Sequence, residues 1–289
     1  MLIEPPARVG EHPLPDGRVI GWAEWGQPDG TPVLLSPGAA TSRHLGIDAA
    51  AVAETGVRLI SLDRPGLRAS SPSPQRTFAD FAADVAAFTR RTGIGRPAMI
   101  GFSQGAPFAL ACAAADVVSA LAIVSAADEL AAPHFAGTLP AELQHLVSLS
   151  VDQPERAADV FTTLTPEAMW DMVIGGSPDC DRNVYESEPF SSAYRTALQE
   201  AFAQGSEGYA RDTVLAMRQW DIDFESIRVP VDVWYGELDL GHSPDQGASL
   251  AARIPAAVHH LVPGAGGALL WTESLRILRT LMGRVSESH

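Results

Sequence analysis

The chain has 289 residues, 46% of them hydrophobic, which is enough for one large domain or for a core carrying an inserted segment. Its net charge of −15 leaves no basic patch of the kind that releases counterions from nucleic acids or anionic membranes, and its two cysteines, Cys112 and Cys180, make no disulfide framework. All twenty basic residues are arginines, so Schiff-base chemistry, a lysine general base and a phosphate-loop lysine are excluded together.

Acid–base work therefore falls to Ser, Asp, Glu and His. The first residues, Met1 to Pro6, carry neither a basic region nor an apolar stretch of signal-peptide length. No apolar run approaches the ~20 residues of a membrane span. With the cysteine usage, these features set the expectation of a cytoplasmic protein.

Along the chain, strands and helices alternate. Arg18 to Trp25 alternates apolar with small or polar residues, as an early antiparallel strand does. Pro32 to Leu35 and Val57 to Leu62 are short apolar runs suited to buried parallel strands. Phe78, Phe81, Val85 and Phe88 recur at helical spacing. Pro97 to Ile100 predicts a strand and Ala106 to Cys112 a helix, which makes Cys112 a core residue rather than a reactive one. Ala120 to Ser125, Val229 to Tyr235 and Ala257 to Val262 predict three more strands. Between 128 and 226 the strand-like runs stop. Pro140 to Leu149, Pro154 to Leu164, Pro166 to Ile174 and Ser191 to Gln204 read as helices instead. Alternation outside that segment implies a mostly parallel sheet with helices on both faces.

Gly101-Phe102-Ser103-Gln104-Gly105 lies between the predicted strand Pro97 to Ile100 and the predicted helix Ala106 to Cys112. Strand, Gly-x-Ser-x-Gly, helix is the context of a nucleophile elbow: the glycines let the turn close so tightly that Ser103 Oγ stands exposed above the sheet. The following helix directs its positive dipole end toward that hydroxyl.

On these residues the chain resembles the α/β-hydrolase fold family, in particular its lidded esterases and peptidases. Asp63-Arg64-Pro65-Gly66 is similar to that family's Asp-Arg-Pro-Gly turn, and Tyr235-Gly236-Glu237-Leu238-Asp239 to the turn carrying its catalytic acid. The resemblance implies an eight-stranded, mostly parallel sheet with a helical lid inserted after the sixth strand. The core would comprise residues 1–127 and 227–289, the lid residues 128–226. Trp170, Tyr185, Tyr194, Tyr209 and Trp220 would be available to line an apolar pocket, or equally to fill the lid's own interior. Ser36 to Arg43 takes the place of the family's oxyanion loop. Pro37 has no N–H, so Gly38 or Ala39 would donate there, and Gln104 N–H, next to the nucleophile, would be the second donor.

Two departures stand out. The family's turn continues with a glycine where this chain has Arg68, so that loop is expected to be shaped differently. Its side chain reads as solvated, with the fixing of a substrate carboxylate as the alternative. More consequentially, Gly267 stands where the family's catalytic histidine precedes the final helix. A serine without a base is a weak nucleophile.

Eight histidines can be searched for a replacement. His12 and His289 are remote, and His259 and His260 lie inside the last strand. His44 follows the oxyanion loop, and His134 and His145 hang in the lid. His242 is best placed, in Asp239-Leu240-Gly241-His242-Ser243, at the carboxyl end of the seventh strand and thus at the active-site edge. A histidine there, another histidine, or none at all remain the three possibilities. The carboxylate orienting it would be Asp239 or, from the end of the sixth strand, Asp128, which equally suits a helix N-cap.

The expected function is hydrolysis of an ester, or less readily an amide, of a small apolar substrate by Ser103, with His242, Asp128 or Asp239, and the Gly38 and Gln104 amides. No metal or organic cofactor is implied, and a monomer or homodimer is expected. A non-catalytic binding protein, or a cofactor-free lyase or cyclase of the same fold, is the alternative that the missing eighth-strand histidine raises.

Overall fold

Central strands of this chain bury alternate residues on two different faces. The computed structural model describes residues 3–287. Strands β1 (Arg8–Pro13), β2 (Val19–Trp25), β3 (Thr31–Ser36), β4 (Val57–Leu62), β5 (Ala98–Phe102), β6 (Leu121–Val124), β7 (Val231–Gly236) and β8 (Val258–Val262) form one sheet, ordered β1-β2-β4-β3-β5-β6-β7-β8. The β1–β2 and β2–β4 pairings are antiparallel and the other five are parallel. β1 has no counterpart among the predicted runs. It is an edge strand that alternates half-buried and exposed residues, so it shows no apolar run to find.

Before the insertion come α1 (Ala49–Thr55), α2 (Phe78–Thr92) and α3 (Ala106–Ala114). Between β6 and β7 the chain forms α4 (Ala141–Asp152), α5 (Pro154–Phe161), α6 (Pro166–Gly176), α7 (Asp179–Tyr185), α8 (Phe190–Ala201) and α9 (Glu207–Met217). After β7 come α10 (Ala248–Arg253), α11 (Leu269–Thr272) and α12 (Ser274–Glu287). Four of the six inserted helices match predicted ones. α7 is too short to show a period, and α9 has a glycine in its first turn, Gly208.

Local signals set the ends of α2. Thr77 and Asp80 form a reciprocal capping box, and Gly93 closes the helix in the left-handed conformation at φ +69°. Packing does the rest. Leu34, Met99, Leu121 and Ile123 face a core shared with Phe81, Val85 and Phe88 of α2 and Phe108 and Leu110 of α3. Val33, Leu35, Ile100 and Val124 face the opposite core with Val52 of α1 and Ile277, Leu278 and Leu281 of α12. The period of two along each strand thus supplies both layers. Cys112 is buried on α3, and burial pushes its thiol up, away from reactivity. The polar tail's last residues, with His289, lie outside the described residues.

Candidate active site

Because β3 and β5 to β8 are parallel, their carboxyl ends open on one edge of the sheet. That edge collects Gly38 after β3, Ser103 after β5, Asp128 after β6, Asp239 and His242 after β7, and Gly266 and Gly267 after β8. Ser103 sits at φ +49°, a conformation costly for a residue with a Cβ and characteristic of a tight elbow. A Cβ at Gly101 would lie 2.7 Å from Ala109 Cβ and 2.8 Å from Ala106 Cα, so only glycine lets the turn fold against α3. Ser103 to Gly105 form a single 3₁₀ turn leading into α3. The first amides of such a turn have no acceptor within it, and Gln104 N–H is one of these.

The loop after β3 is held from behind by Arg64, which is fully buried. Its guanidinium donates to the carbonyls of Pro37 and of Gly38 (2.9 Å) and pairs with Asp212 of α9 at 2.7 Å. Gln104 is anchored through its side chain, Nε2 donating to Thr213 Oγ1 at 2.9 Å. The Asp-Arg-Pro-Gly turn therefore works as a clamp that ties the loop carbonyls one way and leaves the Gly38 and Ala39 amides without internal acceptors. The sequence showed the motif but not this role. Asp212 lies 148 residues from Arg64 on a helix the sequence did not predict.

Asp239 and His242 form one compact turn. Asp239 Oδ1 accepts the backbone N–H of His242 at 3.2 Å, and the His242 Nδ1 lies 2.9 Å from Oδ1 and 3.1 Å from Oδ2. An ionised carboxylate only accepts, so Nδ1 carries the proton and Nε2 is left basic. Asp239 is 3% exposed; burial works against its charge, but the His242 charge and hydrogen bonds hold its carboxyl below the ordinary value. For His242 burial opposes the charged form, yet the carboxylates of Asp239 and Asp181 together raise it above the ordinary histidine value.

Asp128 is placed differently from the expectation that it might orient the imidazole. Its Oδ2 accepts from Ser243 Oγ at 2.8 Å and its Oδ1 from the Glu129 N–H at 2.7 Å, while its own N–H donates to the His242 carbonyl at 3.1 Å. It braces the loop on which His242 stands and makes no bond to the ring.

The glycine in the family's histidine position has a direct physical reason. A Cβ on Gly267 would lie 2.8 Å from His242 Cε1 and 2.9 Å from Nδ1, so the ring occupies the space a side chain there would need. Beside it, Asp181 of α7 accepts the N–H of Gly267 at 2.6 Å and of Ala268 at 3.1 Å. Burial raises the Asp181 carboxyl, and the nearby Asp239 charge adds to this, against the pull of the two amides and of His242.

Ser103, Asp239, His242 and Gly267 line one cavity of about 310 Å³, with Gly38, Ala39 and Phe102. No hydrogen bond joins Ser103 Oγ to the imidazole, as is common before a substrate draws such groups together. Elbow, clamped loop and strand-end histidine are the parts of a recognised architecture, and residues 31–274 match the family described as alpha/beta hydrolase fold. The chain belongs to the α/β-hydrolase fold family. Among solved structures it is similar to the enol-lactonase from Burkholderia xenovorans LB400, at 19% identity and TM-score 0.69, over 96% of this chain and 100% of that one. It is also similar to an esterase from Rhodococcus sp. ECU1013, at 19% identity and TM-score 0.65, over 97% and 99%. A third is the bromoperoxidase from Bacillus anthracis, at 20% identity and TM-score 0.69, over 96% and 100%. No curated protein matches the sequence.

Within this α/β-hydrolase fold, His242 is the one histidine among the described residues that lines the Ser103 cavity. His44 Nδ1 instead pairs with Glu200 of α8 at 2.8 Å, and Ser42 Oγ donates to the same carboxylate at 2.8 Å. Those contacts, with an ion pair from Arg68 at 3.1 Å, hold Glu200 down at about 2 despite its burial. Arg68 is thus ion-paired while still partly exposed, and it does not line the cavity. It also keeps φ +42°, so the backbone stays in the left-handed region a glycine would favour, contrary to the expected change of loop shape. His260 is bound to Asp232 and stacked on Trp234, His259 holds the Gln246 carbonyl, and His134 packs on Phe135. Of the aromatic residues proposed for the pocket, Tyr185 and Tyr194 line it, joined by Met169, Met172 and Val173. Trp170 packs behind Tyr194, Tyr209 against Phe202, and Trp220 against Phe78 in the other core.

Proposed function

We propose that the protein is a serine hydrolase of small, apolar carboxylic esters, open or cyclic, with the helices of residues 128–226 serving as its lid. One observation carries this reading: the imidazole that lines the Ser103 cavity is already bonded through Nδ1 to a buried carboxylate. The enol-lactonase and the esterase to which the fold is similar agree with it.

Ser103 Oγ attacks the substrate carbonyl carbon while His242 Nε2 takes the hydroxyl proton. Asp239 keeps the ring in the right tautomer and stabilises the imidazolium. The developing oxyanion is met by Gln104 N–H and an amide of Gly38 or Ala39, each such donor being worth ~3 kcal/mol. Collapse expels the alkoxide, which receives the proton from His242, and water deprotonated by the same nitrogen then releases the acid. Phe102, Met169, Val173 and the two tyrosines supply apolar walls for the acyl or alcohol portion.

The test is labelling of the purified protein by a fluorophosphonate, which reports an activated serine. Rapid labelling that vanishes in Ser103→Ala and collapses in His242→Ala is expected. Labelling that persists in Ser103→Ala would assign the nucleophile elsewhere, and undiminished labelling in His242→Ala would remove that imidazole as the base. Absence of labelling from the wild type would favour a binding protein. Each outcome overturns the reading.

A further inference from the structure

Asp181 is the one carboxylate that the inserted helices send to the cavity, among the described residues. It stands on α7, is 3% exposed, and has both oxygens on backbone amides, Oδ2 on Gly267 and Oδ1 on Ala268. A Cβ on Gly266 would lie 2.5 Å from its Cγ, so that glycine is what lets the carboxylate reach the turn. The neighbouring Gly267 meanwhile seats the His242 ring. One dipeptide thus receives a lid side chain on one residue and the imidazole on the next.

Several other buried carboxylates are paired with arginines, while Asp128, which has none, is held by Ser243 Oγ and the Glu129 N–H. Asp63 pairs with Arg43, Asp212 with Arg64 and Arg76, and Glu129 with Arg253. Asp181 has no arginine. The groups facing it are Asp239, His242, Cys180 and Tyr185, so besides the two backbone amides only the imidazole offsets its charge. In a cavity walled by Met169, Val173, Tyr185 and Tyr194, water screens such a charge poorly.

We infer that Asp181 is a specificity and positioning residue: it pins the lid to the turn that seats His242, and it keeps carboxylate-bearing substrates out of the cavity in favour of neutral or cationic esters. The inference rests on the proposed Ser103–His242 chemistry. A substrate anion entering here would lose its hydration beside two fixed negative charges, whereas a neutral acyl chain meets only apolar wall and amides.

The first measurement needs no variant. Wild-type kcat/KM for p-nitrophenyl butyrate should exceed that for mono-p-nitrophenyl succinate, which has a similar acyl chain ending in a carboxylate. Equal rates for the two would overturn the inference. In Asp181→Asn, or in Asp181→Ser should the asparagine variant fail to fold, the ratio should narrow about tenfold or more. A merely structural residue would lower both rates and leave the ratio alone, and a folded variant with an unchanged ratio counts against the charge role. NMR titration of the His242 ring, assigned by its loss in His242→Ala, separates this outcome from failure of the hydrolase reading. Its midpoint should fall in the Asp181 variants even if no ester is turned over, and an unmoved midpoint would sink the inference independently.

Discussion

The loops after β7 and β8 lie side by side at the same edge of the sheet, yet one carries all the titrating chemistry and the other has been stripped of side chains. The β7 loop holds Asp239 and His242 three residues apart, so a single turn bonds an imidazole to a buried carboxylate. The β8 loop reads Gly264-Ala265-Gly266-Gly267, and its bareness makes room: the imidazole rests against Gly267 and the Asp181 carboxylate of α7 against Gly266. The backbone of one loop is the seat for the side chains of the other. Two further bonds lock them together, Leu238 N–H to Ala265 O at 2.8 Å and Glu237 N–H to Val262 O at 2.9 Å. The glycine at the family's histidine position and the histidine after β7 are therefore parts of one arrangement. The contrast shows that a triad is defined by where its atoms meet, not by which loop delivers them.

The severest break of this comparison is removal of the reacting pair. Ser103→Ala and His242→Ala should each lower kcat on the order of 10⁴-fold or more, and the double variant little further, because such residues act as a unit. Steady-state kinetics on p-nitrophenyl butyrate reads this directly; additive losses would show that the two do not work together. Asp239→Asn should follow at about 10²–10⁴-fold, since the amide can present its NH₂ to Nδ1 and favour the wrong tautomer. Asp128→Asn should cost far less than Asp239→Asn. A reversal of that order would return the orienting role to the sixth-strand carboxylate.

Gly267→Ala sharpens the contrast from the bare side. The added methyl would meet the His242 ring at under 3 Å, so kcat should drop about 10- to 100-fold, while overpacking destabilises the fold by ~1–3 kcal/mol. Thermal melts alongside kinetics check it, and an unaffected enzyme would mean that His242 does not use this seat during turnover.

The mildest expectation concerns pH. A general base must be neutral, and Asp239 and Asp181 raise His242 above 6.5, so kcat/KM should climb with pH through a midpoint above 6.5. The linkage signs follow. His242 is raised in the folded state, so its stabilising contribution is complete below about 6.5 and is lost as pH rises through the higher folded value. Asp239 is lowered, so its contribution is present above about 3.8 and is lost as pH falls through the lower folded value. Melting temperatures of wild type and His242→Ala should therefore converge as the solution becomes alkaline.

Much of this protein was determined by sequence alone, because it is written in local periodicity and turn chemistry. Seven strands, α2, α3 and the elbow announce themselves through alternation of two, helical spacing and paired glycines. The arginine-only basic set excluded lysine chemistry, and the strand-end rule singled out His242 from eight histidines. Only the tertiary structure showed which of Asp239 and Asp128 bonds the imidazole. Both are carboxylates at the ends of adjacent strands, and the choice rests on Ser243 claiming one while the other folds back on its own turn. It also brought in Asp181, 86 residues from Gly267, and Arg64, 148 residues from Asp212. Such partners share no period or spacing in the chain. They meet because parallel strands deliver their ends to one edge and the inserted helices pack against it, a constraint that exists only once the sheet has formed.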